Sequence, residues 1–191
     1  MSRSEMKRRY KIKMLTSWAE KGDTYAMLSL GHLYAGLHVT KDIEPGDLKE
    51  LELLDAIFEP EFARDFASAA YWYGKAAELN NNSAQYNLGL LYFYGYGVDQ
   101  DDHMAFSIFE KAAESGHVYA AYHLARCYLT GRGVEQDGEK AVEYYTYAAV
   151  NGYKPAFADV GRMYMLGRGV EHNQLKANEY FAKAQKQRAE V

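Results

Sequence analysis

Three glycine loops, one histidine–cysteine pair and two pairs of arginines are where this sequence could do chemistry. Residues 95–98, 131–134 and 167–170 each read Gly-x-Gly-Val. A phosphate-cradling loop follows a strand and opens a helix, usually with more glycines and a lysine. These loops follow helical patterns and recur at a fixed interval, so they read as turns. His123 and Cys127 stand four apart and could present two metal ligands, but two are too few for a closed site. Cys127 also aligns with the core positions Leu33, Leu91 and Met163, and His123 with the polar positions Ser29, Asn87 and Asp159. The two are therefore expected on different surfaces, and no metal or cofactor is expected. His32, His38, His103, His117 and His172 are scattered. Neither a nucleophile elbow nor a paired-carboxylate motif is present, so the chain reads as a non-enzyme. Arg126 and Arg162 share one aligned position, and Arg132 and Arg168 another. Such arginines suit an acidic partner segment, unless acids such as Glu143 or Glu179 pair with them.

The elements that position these residues repeat. Tyr92, Tyr128 and Tyr164 are 36 residues apart, each preceded by a small-residue and leucine pattern such as Ala84, Leu88 and Gly89. A period of this size marks a solenoid or array. In residues 82–117, Ala84, Leu88, Leu91 and Tyr92 have helical spacing and predict a first helix. Gly95 and Gly97 end it, and Asp101 or Asp102 caps a second helix. Two aligned positions are alanine throughout: Ala69, Ala105, Ala141, Ala177, and Ala76, Ala112, Ala148, Ala184. Beside them stand large residues: Trp72, Ile108, Tyr144, Tyr180, and Tyr73, Phe109, Tyr145, Phe181. Small against large at fixed positions lets paired helices interdigitate. Much of the excess in the 18 tyrosines is therefore packing.

The expected fold is all-α: a superhelical α/α solenoid of about four helix-turn-helix repeats. Residues 1–23 form an N-terminal cap, 24–81 the first repeat, 82–117 and 118–153 the next two, and 154–191 the fourth with a polar C-terminal cap. Together they read as one repeat domain. The first repeat is interrupted: Tyr34 and Lys75 stand 41 apart where Tyr92 and Lys111 stand 19 apart, an insertion of 22 residues at about 40–61. That stretch is rich in Asp and Glu, and Leu48, Leu51, Leu54, Ile57 and Phe58 form a helical stripe between Pro45 and Pro60. An inserted amphipathic helix is expected, covering the groove or packing outside it.

The net charge of -4 gives no sign of nucleic acid. The basic start, +5 over residues 1–13, reads as a solvated lead-in. No apolar run approaches a membrane span, and no secretory signal follows the basic residues. With one cysteine and no leader, the expected compartment is the cytoplasm.

The pattern Ala-x-x-x-Leu-Gly-x-x-Tyr-x-x-Gly-x-Gly-Val followed by Lys-Ala-Ala resembles the Sel-one-like repeat family, a relative of the tetratricopeptide repeats. The resemblance implies protein–protein interaction. Some bacterial members are adaptors and others immunity proteins that inhibit a cognate toxin. It also implies that first helices line a concave groove. On that basis the partner-binding positions are Tyr86, Asn87, Leu90, Phe93 and Tyr94, then Tyr119, Tyr122, His123 and Arg126. Arg162 joins them, with Arg132 and Arg168 at one edge. Aromatic side chains exposed there would be interface anchors.

Overall fold

The structure, a computed structural model, describes residues 3–36 and 64–186. Among them are nine helices and no strand: α1 (Arg3–Ala19), α2 (Thr24–Tyr34), α3 (Phe66–Glu78), α4 (Asn82–Tyr94), α5 (Asp102–Glu114), α6 (Val118–Thr130), α7 (Gly138–Val150), α8 (Ala156–Leu166) and α9 (Gln174–Lys186). The expected inserted helix lies outside the described residues. The chain divides into two compact units, Met1–Asp101 and Asp102–Val191. In the first, α1 packs on α2, α2 on α3 and α3 on α4, and the first helices α2 and α4 also touch. In the second, α5 packs on α6, α6 on α7, α7 on α8 and α8 on α9.

The aligned positions explain the packing. Ala69, Ala105, Ala141 and Ala177 are fully buried, as are Ala76, Ala112 and Ala148. Tyr73, Phe109 and Tyr145 fill the space that these small residues leave. The facing position on the first helix is small for the same reason. A methyl group at Gly31 would run into the Tyr73 ring, and one at Gly161 into the Phe181 ring.

Each repeat closes its turn with the same backbone bond. The second-helix start donates its N–H to the tyrosine carbonyl: Asp101 to Tyr92 at 3.0 Å, Asp137 to Tyr128 at 2.9 Å and Asn173 to Tyr164 at 3.0 Å. Side chains of Asp65, Asp137 and Asn173 then cap the second helices by accepting the N–H of Ser68, Lys140 and Lys176. The first glycine of each loop takes the left-handed conformation at a helix end, as at Gly131 (φ 70°). The second glycine has an added reason. Gly133 (φ 71°) lies so close to the backbone of Asp102 and His103 that no side chain fits. Gly97 lies in the same way against Phe66 and Ala67, and Gly169 against Gly138. Each turn is thereby seated on the start of the preceding second helix.

The residue between the two glycines completes that seat. Tyr96 stacks on Phe66 with ring centroids 5.2 Å apart. One repeat on, Arg132 replaces Tyr96 and Asp102 replaces Phe66, and the two form an ion pair, with Nε to Oδ1 at 3.1 Å. In the last turn Gly138 takes the place of Asp102. Arg168 is exposed there, without an ion-pair partner among the described residues.

Candidate interaction face

The second unit gathers an aromatic and charged set on and beside its first helices, α6 and α8, with Tyr153 just before α8 and Tyr145 on α7. Helix α6 begins at His117, whose Nδ1 accepts the N–H of Ala120 at 3.2 Å. Burial, and secondarily His123, lowers the His117 pKa to about 4, so the ring is neutral and able to accept. One turn on, Tyr119 and Tyr122 are half-buried around Tyr153. The Tyr122 and Tyr153 centroids are 4.6 Å apart, those of Tyr119 and Tyr153 5.4 Å, and those of Tyr122 and Tyr145 5.2 Å. Half-buried Arg126 lies a further turn along α6. From α8, exposed Arg162 forms an i,i+3 ion pair with Asp159. These charges converge near Tyr145. Burial raises its hydroxyl pKa first and Asp159 next, while Arg126 and Arg162 oppose the rise.

Tyr153 was not among the expected binding residues. It occupies the position of Asn81 and His117, which cap first helices through their side chains. A phenol cannot cap in that way, and α8 starts later, at Ala156, with no side-chain cap bond. The break in an otherwise polar capping position was the available signal.

Other expected positions are not surface positions. Tyr86, Leu90 and Phe93 are buried, at 0%, 0% and 2% exposure, and Asn87 and His123 are buried with them. Asn87 donates to the Ser83 carbonyl at 2.8 Å, and His123 stacks on Phe109 at 5.2 Å. The reason is the width of the buried arc. A first helix packs on more than one neighbour, and α4 buries eight of its residues, from Ala84 to Phe93. Leu88 and Tyr92, read as the centre of the stripe, lie at its half-buried margin. Tyr94 is also half-buried, stacked with Tyr96 at 5.6 Å. Arg132 belongs to the Asp102 seat. Arg162 pairs with an acid, as the alternative reading allowed, and that acid is Asp159 rather than Glu143 or Glu179.

Cys127 is fully buried, and burial pushes its thiol pKa up to about 12. Among the described residues, no three histidine, cysteine or carboxylate side chains gather into a metal-binding group. No described helix is long and apolar enough to cross a membrane.

Residues 24–44, 62–81, 82–117, 118–153 and 158–187 match the Sel1 repeat. The chain belongs to the Sel1 repeat family. The first Sel1 match is split around residues 45–61, inside the inserted stretch. Sel1 repeat proteins are generally protein-interaction modules. A Sel1 repeat protein from Oxalobacter formigenes is 25% identical and superposes with a TM-score of 0.73 over 96% of this chain and 67% of its own. A protective antigen of uropathogenic Escherichia coli strains, displaying an SLR fold, is 30% identical with a TM-score of 0.65. That match covers 92% of this chain but only 41% of the antigen. The fold is thus an all-α helical repeat solenoid. An immunity protein from Pseudomonas aeruginosa is 22% identical over 75% of this chain and 68% of its own, with a TM-score of 0.34. A likeness that slight carries no argument. No curated protein matches significantly.

Proposed function

We propose that this Sel1 repeat protein captures a segment of a partner protein on the face built by Tyr119, Tyr122, Tyr153, Arg126 and Arg162. The observation that supports this most is the convergence of three half-buried tyrosines and two repeat-equivalent arginines in one unit. Stacked tyrosines offer rigid apolar area at small entropic cost, and arginines add directional hydrogen bonds, a combination enriched at interface centres. An acidic partner segment suits the two arginines, with Asp159 holding Arg162 in the unbound protein. Arg168 is exposed in the turn that follows α8. The role is binding rather than catalysis.

Affinity capture from cells of the source organism, followed by mass spectrometry, identifies the partner. The purified partner is then titrated against wild type and an Arg126→Ala, Arg162→Ala, Tyr119→Ala variant. A dissociation constant raised at least tenfold is expected. Equal binding by both proteins would place the partner elsewhere. A single tight partner that is a toxin, silenced on binding, would identify an immunity protein. Several weaker partners would identify an adaptor.

A further inference from the structure

The exposed face of the second helices follows a rule that one repeat breaks. At two positions three residues apart, the repeats carry Lys75 and Glu78, Lys111 and Glu114, Tyr147 and Val150, and Lys183 and Lys186. Lys75 and Glu78 form an ion pair at 3.5 Å. Lys183 instead reaches back one turn to Glu179 at 2.8 Å. In α7 the residue matching Glu179 is Glu143, but the residue matching Lys183 is Tyr147. Glu143 is exposed and, among the described residues, has no ion-pair partner.

The replacements are apolar and outward. Tyr147 is 38% exposed and Val150 64%. The Tyr147 hydroxyl lies by Gly116, at the α5–α6 turn, so the patch adjoins α5. Its border is acidic. Burial raises the Tyr144 pKa first and Tyr128 next, with smaller contributions from the nearby carboxylates of Glu143, Glu110 and Glu114; Lys111 stands among them on α5. Isolated exposed apolar residues are ordinary. Here two stand at positions that are charged in the other three repeats, and Tyr147 leaves Glu143 without the lysine that Glu179 has.

We propose that Glu143, Tyr147 and Val150 dock a basic amphipathic segment of a partner protein. Its lysine or arginine takes, against Glu143, the place that Lys183 takes against Glu179. Its apolar residues pack on Tyr147 and Val150. A lysine over a tyrosine ring already recurs in this molecule, with Lys140 Nζ 5.0 Å from the Tyr128 centroid and Lys176 Nζ 5.1 Å from that of Tyr164. The Tyr147 ring can receive the partner's cation in the same way. These residues lie on the second helix α7 rather than among Tyr119, Tyr122 and Tyr153, and the proposal does not depend on the role of that set.

The repeats supply the test, because Tyr147→Lys with Val150→Glu installs the pair that the first two repeats already tolerate. The probe is a fluorescent leucine–lysine amphipathic helix, with a leucine–glutamate helix as control, followed by anisotropy against the full chain. The lysine peptide is expected to bind wild type, with its dissociation constant at least tenfold higher for the double variant. The glutamate peptide is expected not to bind. Equal binding to both proteins, or equal binding of both peptides, overturns the proposal. Should the double variant unfold, Glu143→Gln decides: weaker lysine-peptide binding supports the site and unchanged binding overturns it.

Discussion

The Asp65 N–H donates to the Tyr34 carbonyl at 3.0 Å, the same bond that Asp101 makes with Tyr92, although the intervening chain is far longer. The inserted stretch thus enters and leaves a turn whose two ends are already joined. Removing residues 40–61 restores the spacing of the other repeats. Loop-closure entropy changes by only about 0.6 kcal/mol per doubling of length. The deletion is therefore expected to keep full helicity by circular dichroism and a melting temperature equal to or slightly above wild type. Loss of cooperative unfolding would mean that the stretch holds the first repeat together.

Gly31 and Gly74 should respond oppositely to alanine. At Gly31 the methyl meets the Tyr73 ring, and overpacking of this kind costs about 1–3 kcal/mol. Nothing lies near a methyl at Gly74, where the better helix former is expected to stabilise by about 0.5–1 kcal/mol. Urea unfolding of both variants checks the signs. A neutral Gly31→Ala would show that the ring has room to move.

The Arg132–Asp102 pair should be exchangeable for its counterpart in the preceding repeat. Alanine at either residue is expected to destabilise the second unit, with a coupling of about 1 kcal/mol in a double-mutant cycle. Arg132→Tyr with Asp102→Phe, copying Tyr96 and Phe66, is expected to recover most of that loss. Each of those substitutions alone should not. Additive effects would show that the two residues act independently.

Acid should weaken the fold through His117 and His32. Burial is the main cause of both shifts, and it lowers each pKa from 6.5 to about 4. A depressed pKa means that the unfolded chain takes up protons first. Stability is therefore complete above about pH 6.5 and declines as pH falls toward 4, by up to about 1.4 kcal/mol per pH unit for each histidine. For His117 the protonated ring also loses its cap to Ala120. His117→Asn, which copies the cap at Asn81, is expected to shallow the slope between pH 6 and 4. Denaturant titrations across that range measure it, and an unchanged slope would remove His117 from the acid response.

Residues that serve the period were legible in sequence, and those that depart from it only partly so. The alanine positions, the Gly-x-Gly turns and the core place of Cys127 followed from alignment alone, because each repeat imposes the same contact. The orientation of the first helices did not. Leu88 and Tyr92 fit an apolar stripe, yet burial extends to Tyr86, Asn87 and Phe93, because neighbouring helices enclose the same helix. One sequence read with a helical period locates the apolar side of a helix but not the width that its neighbours cover. Tyr153 was hidden for another reason. Its meaning depends on the side-chain caps that Asn81 and His117 make at the same position, and a cap is recognised only once the helix boundary is known.

The Gly-x-Gly seat also bears on how such an array can be rearranged. Tyr96 suits a start like Phe66, and Arg132 a start like Asp102, so each turn carries a memory of which helix should precede it. Inserting a second copy of residues 118–153 directly after the first would set a new Arg132 against Gly138, where no carboxylate waits. Repeat order is thus written into two residues per junction. Lengthening or shuffling the array requires both members of a junction to travel together.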